Sequence, residues 1–155
     1  VSIGAFEHFR RSRYDAFFQR CRGMLPEGGR MLLHNIVLPD RERLAERGIP
    51  VDHEDVLFAK FIQKHIFPGG QLVDPRVIHH HADEAGFTCQ RTHSLQPHYA
   101  RTLETWARHL EARREEAIAI AGADTYDLYM KYLTGCARYF HTGHIDVCQF
   151  TLLAT

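Results

Sequence analysis

Apolar residues in this chain form two kinds of pattern, short continuous runs and stripes that repeat at helical spacing. Residues 30–37, 87–95 and 144–153 have the length and apolar content of strands, and residues 30–37 are typical of a strand covered on both faces. Residues 1–3 resemble the end of another buried strand. We therefore expect a small, incomplete sheet of about three and a half strands.

Helical spacing predicts helices between these strands. They span residues 14–25, 57–66, 75–85, 99–121 and 124–141. Ser12 is a capping signal for the first helix, and Asp74 followed by Pro75 is a typical start for the third. The side chains expected to face inward on the last two helices are Leu103, Trp106, Ala107, Leu110, Ala117, Ile118, Tyr129, Tyr132, Leu133, Cys136 and Phe140.

The order of these elements predicts a fold class. Strands that alternate with helices favour a layered α/β fold with a mainly parallel sheet. Residues 38–56 are polar and contain Pro39, Gly48 and Pro50, so we expect a mobile excursion there. Ligands of open α/β sheets bind beyond the carboxyl ends of strands, which is where residues 4–9 lie. The pattern is therefore typical of part of an enzyme.

The composition excludes several other classes of protein. The 155 residues carry 19 basic and 19 acidic side chains, which argues against a nucleic-acid-binding protein with a positive surface. No apolar run approaches the ~20 residues that a membrane span needs. The four cysteines lie far apart without a CxxC pair, and we identify no signal peptide. We therefore expect reduced thiols and a cytoplasmic location.

Three adjacent histidines, His79 to His81, raise the question of a metal site. Ligands on one helix share a face when they are three or four residues apart, and adjacent residues point in different directions. We therefore expect these histidines to lie on a solvated helix face, and we predict no metal.

Several stretches of the chain together match one family. They are Val1-Ser2-Ile3-Gly4-Ala5-Phe6-Glu7-His8-Phe9, Met31-Leu32-Leu33-His34, Ile66-Phe67-Pro68-Gly69-Gly70, Ser94-Leu95-Gln96-Pro97-His98-Tyr99-Ala100, Tyr129-Met130-Lys131-Tyr132-Leu133-Thr134-Gly135-Cys136-Ala137, Ile145-Asp146-Val147 and Gln149-Phe150-Thr151-Leu152. The chain resembles the carboxyl-terminal half of the mycolic acid cyclopropane synthases. These belong to the cyclopropane-fatty-acyl-phospholipid synthase family of S-adenosylmethionine-dependent methyltransferases. The chain departs from the family mainly at residues 38–56 and at Arg10, Arg11 and Arg13, which leaves the acyl chain length and the alkene position open.

The resemblance implies a specific fold, the carboxyl-terminal half of a class I methyltransferase sheet. Residues 1–3 would end the fourth strand, residues 31–36 and 87–95 would form the fifth and sixth, and residues 145–153 the seventh, which is antiparallel. The helices at 57–67 and 99–141 would be insertions that wall an acyl-chain tunnel. Residues 1–155 would then be a single incomplete domain, because the family's main cofactor-binding elements lie upstream.

The resemblance also implies a reaction. S-adenosylmethionine would donate a methyl group to a cis double bond of a long-chain, mycolic-type acyl lipid. The resulting carbocation would lose a proton to a bound bicarbonate and close to a cyclopropane. By resemblance, Glu7 accepts the hydrogen of the bicarbonate, His34 and Tyr99 donate to it, Cys136 lies against the same site, and Ile3 packs on the cofactor.

Each of these residues also has a structural interpretation that the sequence leaves open. Glu7 is a suitable charge at the start of a helix, and His34 at the end of a strand can satisfy a backbone carbonyl. Tyr99 can be a packed aromatic residue, and Cys136 lies on an apolar helical stripe as a core thiol does. Because all four residues occur in stretches that match the family, the interpretation as a bicarbonate site is favoured over the four separate structural roles.

Other functions remain open at this stage. The same carbocation gives a hydroxylated or methyl-branched product if water adds or a hydride shifts. A non-catalytic fragment or a split subunit is the non-enzymatic alternative, because an open strand edge favours pairing with a partner chain or a second copy. We expect the isolated chain to bind S-adenosylmethionine weakly or not at all. Arg10, Arg11 and Arg13 would suit an acidic acyl carrier protein as the carrier of the substrate.

Overall fold

Four strands form one sheet in the computed structural model, which describes residues 1–155. They are β1 (Ser2–Ile3), β2 (Arg30–Val37), β3 (Phe87–Ser94) and β4 (Asp146–Ala154), in the spatial order β1-β2-β4-β3. β1 is parallel to β2, and β4 is antiparallel to both of its neighbours. This arrangement confirms the strands expected from the resemblance, including the antiparallel last strand.

Three of the four strands, β1, β2 and β3, run in the same direction, as a mainly parallel sheet requires, but only one of the pairings is parallel. β2 and β3 do run in the same direction, but β4 lies between them and pairs antiparallel with each. The alternation of helices and strands gives the direction of β2 and β3 correctly. It does not reveal that the last strand of the chain separates them.

Seven α-helices accompany the sheet. They are α1 (Tyr14–Gly23), α2 (Arg41–Glu46), α3 (His53–His65), α4 (Pro75–Glu84), α5 (Gln96–Ala112), α6 (Arg114–Ala121) and α7 (Ala123–Thr142). The predicted start of α4 is confirmed, since the Asp74 side chain accepts a hydrogen bond from the Arg76 amide at 2.8 Å. None of the helices combines the length and apolarity that a membrane span needs.

Ser12 is not the cap of α1, so that prediction was wrong. Ser12 lies inside a short 3-10 turn, Arg11–Arg13, that runs directly into the helix. The Tyr14 amide donates to the Arg11 carbonyl, so a backbone carbonyl of the turn takes the place of a side-chain cap.

Residues 38–56 were expected to form a mobile excursion, and they contain α2 and the start of α3. Asp40 caps α2 by accepting from the Arg43 amide at 3.0 Å. Asp52 and Asp55 form a reciprocal capping box at the start of α3, with both bonds at 2.9 Å. These aspartates start short helices between the prolines and glycines that dominate the sequence pattern.

The helix predicted over residues 99–121 is divided in two at Arg113, which lies outside helical geometry with φ −119° and ψ 33°. α5 also begins earlier than expected, at Gln96. Trp106 and Tyr129 were expected to face inward but are each 48% exposed. Both residues lie at the edges of the apolar stripes of α5 and α7, outside the surface along which these two helices pack against each other.

Two apolar cores lie on opposite faces of the sheet, because side chains alternate along each strand. The α1/α4 core contains Phe6, Tyr14, Phe18, Met31, Leu33, Val37, Val73, Ile78, Ala82, Phe87, Cys148, Phe150, Leu152 and Ala154. The α5/α7 core contains Ala100, Leu103, Ala107, Leu133, Cys136, Ala137, Phe140 and Val147. Ile36 of β2 and Phe58 and Ile62 of α3 pack at its margin. The carboxyl ends of β1 and β2 lie between these two cores.

Candidate active site

Glu7 lies just beyond β1, in a 3-10 turn, and its side chain is buried with 7% of its surface exposed. The Gly4 amide donates to the His34 carbonyl at 3.0 Å, which continues the pairing of β1 with β2. The next amide of β2 on this edge, that of Ile36, donates to Oε1 of Glu7 at 2.7 Å. The carboxylate therefore replaces the backbone acceptor that a longer β1 would offer.

The second oxygen of this carboxylate defines the site. Oε2 of Glu7 is buried and has no hydrogen-bond partner among the protein atoms. Burying an unpaired carboxylate oxygen is costly, and such oxygens in folded proteins almost always bind a donor. The residues around Oε2 therefore fit a small bound molecule that donates a hydrogen.

Three side chains of the helical layer accompany Glu7. Burial raises the pKa of Tyr99, at the start of α5, and the nearby Glu7 and Cys136 raise it further. Burial also raises the pKa of Cys136, on α7, to about 12. Tyr132 lies one helical turn from Cys136, and its pKa is raised by burial and by Cys136 and Tyr99. All three groups are thus neutral and keep their protons at neutral pH.

His34 and Ile3 lie side by side in neighbouring strands, since Ile3 pairs with His34 in the register of β1 and β2. Nδ1 of His34 lies 3.4 Å from Nε2 of Gln149, which can only donate, so Nδ1 accepts from it and Nε2 is the ring nitrogen left as a donor. No hydrogen bond joins the His34 ring to Glu7, Tyr99 or Cys136. Ile3 is 66% exposed at the edge of the sheet.

The structure therefore places Tyr99 near enough to both Glu7 and Cys136 for each of them to raise its pKa. His34 lies two residues along β2 from the Ile36 amide that binds Glu7, so the backbone of β2 links it to the group. The arrangement can present one carboxylate and several neutral donors to a small polar molecule, with apolar side chains of α3, α5 and α7 beside it.

Comparisons with known proteins bear on what this arrangement does. The family model for mycolic acid cyclopropane synthetase matches residues 1–150. The chain belongs to this family. Cyclopropane mycolic acid synthase 3 from Mycobacterium tuberculosis is 52% identical over 152 residues, which are 98% of this chain and 53% of that protein. This member of the family thus spans about half the length of its curated relatives.

Solved structures of cyclopropane synthases share the fold. The structure of MmaA2 from Mycobacterium tuberculosis matches with a TM-score of 0.96 and 48% identity, over 99% of this chain and 54% of that one. CmaA1, in complex with SAH and CTAB, matches with a TM-score of 0.92 and 49% identity, over the same shares of the two chains. The sheet described above is therefore the carboxyl-terminal half of a cyclopropane synthase fold.

Sequence reasoning did not assign site roles to Tyr132 or to the segment that follows α3. The Phe67 ring contacts the rings of both Tyr132 and His8, with centroids 5.8 and 6.1 Å apart. The Gln71 amide donates to the Glu7 carbonyl at 2.7 Å. Both places lie in or next to stretches that match the cyclopropane synthase family, and the four-residue spacing of Tyr132 and Cys136 was a usable signal.

The prediction that the three histidines form a solvated face was wrong for two of them. Nε2 of His79 lies 2.9 Å from Oγ1 of Thr92, and Nδ1 of His81 lies 2.6 Å from the Asp15 carboxylate. α4 packs between β3 and α1, so its adjacent histidines contact different neighbours. No three metal-ligating side chains converge in the structure.

Proposed function

We propose that this chain supplies the carboxyl-terminal part of an S-adenosylmethionine-dependent cyclopropane synthase acting on a cis double bond of a long-chain, mycolic-type acyl lipid. The buried, unpaired Oε2 of Glu7, a carboxylate near enough to Tyr99 to raise its pKa, carries the proposal. Membership of the mycolic acid cyclopropane synthetase family supports it. The relative CmaA1 has been solved in complex with SAH and CTAB, a long-chain surfactant.

S-adenosylmethionine, when bound, supplies an electrophilic methyl group. The exposed side chain of Ile3, at the carboxyl end of β1, would pack against it. This end of the sheet is where ligands of open α/β folds bind. The activity also requires the rest of the methyltransferase domain, which we propose pairs with the outer edge of β1.

The residues around Glu7 fit a bicarbonate as the base that removes the proton. Oε1 of Glu7 is held by the Ile36 amide, so Oε2 would accept the hydrogen of the bicarbonate. Tyr99 and Cys136 keep their protons and would offer them as neutral donors, and His34 offers Nε2–H. A buried anion needs such donors, because burying it unpaired is costly.

Apolar side chains beside this site would hold the acyl chain. Phe58, Ile62 and Met130 lie at the margin of the α5/α7 core next to Tyr99 and Tyr132. Arg10, Arg11 and Arg13 are exposed in the segment that follows Glu7. This basic group would favour a substrate delivered by an acidic acyl carrier protein.

The test is a methyl-transfer assay on a chimera, a single polypeptide in which residues 1–155 replace the matching half of cyclopropane mycolic acid synthase 3. The chimera receives S-adenosylmethionine with a tritium-labelled methyl group and a cis-unsaturated acyl substrate, and mass spectrometry identifies the product. We expect a cyclopropane, a net gain of one CH₂. The Glu7→Gln chimera is expected to form much less of it.

Two results would contradict the proposal at different levels. A hydroxylated or methyl-branched product without a ring would reject cyclopropanation but retain methyl transfer to the alkene. No transfer of label to lipid by a folded chimera would reject the proposed function altogether. The same chimera with unlabelled lipid of increasing chain length then measures substrate preference.

A further inference from the structure

Asp55 of α3 is the centre of a group of interacting side chains that the reaction does not use. The Tyr139 hydroxyl donates to Oδ1 of Asp55 at 2.6 Å, and the Arg138 guanidinium donates to the same oxygen at 3.3 Å. Nε2 of His144 lies 3.7 Å from Oδ2. We call these four residues, Asp55, Arg138, Tyr139 and His144, the Asp55 cluster. The side chains of Asp55 and His144 are only 10% and 12% exposed.

His144 extends this cluster to the segment that precedes α3. Its Nε2 lies 3.0 Å from the Pro50 carbonyl, and its Nδ1 lies 2.7 Å from the Thr142 hydroxyl. Because a carbonyl can only accept, Nε2 carries a proton and donates it. The start of α3 and the residues before it are thereby fixed to the end of α7. This is the segment in which the sequence departs most from the family pattern.

A glycine of α7 gives α3 its second attachment. The Phe58 ring stacks on the Tyr139 ring, with centroids 4.9 Å apart and planes at 23°. A Cβ on Gly135 would lie 2.3 Å from Cε2 and Cζ of Phe58, a distance that no real contact shows. Only glycine at position 135, the residue that precedes Cys136, therefore allows the Phe58 ring to lie where it does.

α3 needs these attachments, because none of its residues is fully buried. Phe58 and Ile62 rest on the α5/α7 core, the core that contains Cys136 and is flanked by Tyr99 and Tyr132. Beyond the end of α3, Phe67 contacts Tyr132. The position of α3 therefore sets the space beside the candidate active site.

We propose that the Asp55 cluster and Gly135 are positioning residues that hold α3 as one wall of the acyl-chain site and so determine how tightly an acyl substrate binds. The role of the wall rests on the proposed function, whereas the attachment of α3 does not. None of these residues touches the reacting atoms. Their loss is expected to weaken binding of substrate rather than the chemical step.

Hydrogen–deuterium exchange of the 155-residue chain tests the attachment directly. Tyr139→Phe keeps the ring on Phe58 but removes the hydrogen bond to a charged carboxylate, and we expect exchange in residues 53–65 to rise about tenfold. Exchange in α4 should not change. Tyr126→Phe is the matched control, because Tyr126 is a buried tyrosine of the same helix whose hydroxyl makes no hydrogen bond. Unchanged exchange in α3, or a rise shared by the whole chain, would overturn the proposal.

A second pair of variants tests the contact between Gly135 and the Phe58 ring. Gly135→Ala is expected to raise exchange in α3, because the new methyl group displaces the Phe58 ring. Adding Phe58→Leu to Gly135→Ala shortens the colliding side chain and should restore most of the protection. If the double variant exchanges as fast as Gly135→Ala alone, Gly135 does not act through Phe58 and this part of the proposal is wrong.

The chimera supplies the functional measurement. In the Tyr139→Phe chimera we expect KM for the acyl substrate to rise about tenfold while kcat stays within about twofold. This pattern is expected when the substrate and the transition state lose the same amount of binding energy. A fall in kcat with unchanged KM would contradict a positioning role. If the unsubstituted chimera transfers no methyl group, the proposed function fails, and the exchange data still decide whether the Asp55 cluster holds α3.

Discussion

The two cores on either face of the sheet differ in how completely they are closed. The α1/α4 core contains the fully buried Phe6, Phe18 and Phe150, and it holds α1 and α4 against the strands. The α5/α7 core is smaller, and its margin consists of partly buried side chains, two of which, Tyr99 and Tyr132, carry a hydroxyl group. One face of the sheet is therefore closed by packing, and the other face is the one on which we propose that a ligand binds.

Glu7 lies where the two cores meet. Phe6, the residue before it, stacks on Tyr14 in the closed core with ring centroids 4.3 Å apart. The Glu7 carboxylate raises the pKa of Tyr99 on the open side and also contributes to the raised pKa of Tyr14 in the closed core. Glu7 therefore lies between the two cores and influences side chains of both. This division predicts that substitutions on the two faces have separable effects.

The largest expected effect is a loss of stability in the closed core. Phe18→Ala removes a fully buried ring and should lower the free energy of unfolding by about 3–5 kcal/mol, since large cavities in cores cost this much. Phe58→Ala on the open face should cost about half as much or less, because its ring is partly exposed. Urea unfolding of the two variants measures both values. Equal losses of unfolding free energy in the two variants would show that the two cores are equally well closed to solvent.

The next effect is a loss of activity without a loss of stability. Glu7→Gln keeps an oxygen that can accept from the Ile36 amide, so unfolding should change by less than about 1 kcal/mol. Product formation by the chimera should fall about a hundredfold or more, as expected when a group that serves proton transfer is removed. Glu27→Gln, at an exposed glutamate, is the control. Full activity of the Glu7→Gln chimera would show that Glu7 is not part of the active site.

The closed core was the easier half to predict from the sequence. β2 and α4 follow from continuous apolar runs and from the Asp74-Pro75 start, which are local signals. Both elements pack in the way that their patterns demand. The position of β4 between β2 and β3 is not local, because it depends on which strand edges are free when the last strand forms. The alternation of strands and helices therefore predicted the common direction of β1, β2 and β3 but not their pairing.

The open face was predicted less completely. The resemblance selected Glu7, His34, Tyr99, Cys136 and Ile3, and the structure places Tyr99 near enough to Glu7 and Cys136 for both to raise its pKa. The bond from the Ile36 amide to Glu7 was not predictable, because it depends on β1 ending at Ile3. Helical spacing alone also could not distinguish packing residues from exposed ones at the margins of wide apolar stripes, as Trp106 and Tyr129 show. Asp55 lies in residues 38–56, which were predicted to be a mobile excursion, whereas the other members of the Asp55 cluster lie at the end of α7 and just beyond it.

A smaller effect concerns the pH dependence of the Asp55 cluster. Burial and, after it, the hydrogen bond to Asp55 raise the pKa of Tyr139 to about 12 against the lowering effect of Arg138, and both favour the neutral hydroxyl. The folded pKa is above the unfolded value of about 10, so this stabilisation is complete below pH ~10 and is lost as the pH rises towards ~12. We expect a loss of about 1–2 kcal/mol over that interval.

The matched measurement is the difference in unfolding free energy between the unsubstituted chain and Tyr139→Phe across this pH range. Other tyrosines titrate in both proteins and cancel in the difference. The advantage of the unsubstituted chain should shrink between pH ~10 and ~12. Burial alone would raise the pKa of Asp55, but hydrogen bonds from Tyr139 and the Asp52 amide, with His144 and Arg138, lower it overall. Its contribution is therefore present above pH ~3.9 and is lost as the pH falls further. An advantage that is independent of pH would contradict this account of the cluster.

The smallest effect is expected at Trp106, on the outer margin of the open face. Its side chain is 48% exposed, whereas Leu103, one turn earlier on α5, is 1% exposed. Trp106→Ser should change the free energy of unfolding by about 0.5 kcal/mol or less, while Leu103→Ala should cost about 2–3 kcal/mol. Trp106 is the single tryptophan of the chain, so its fluorescence reports this position alone, and acrylamide should quench it readily. A poorly quenched Trp106 with a large cost of replacement would mean that the α5/α7 core extends to the edge of α5 and is as closed as its counterpart.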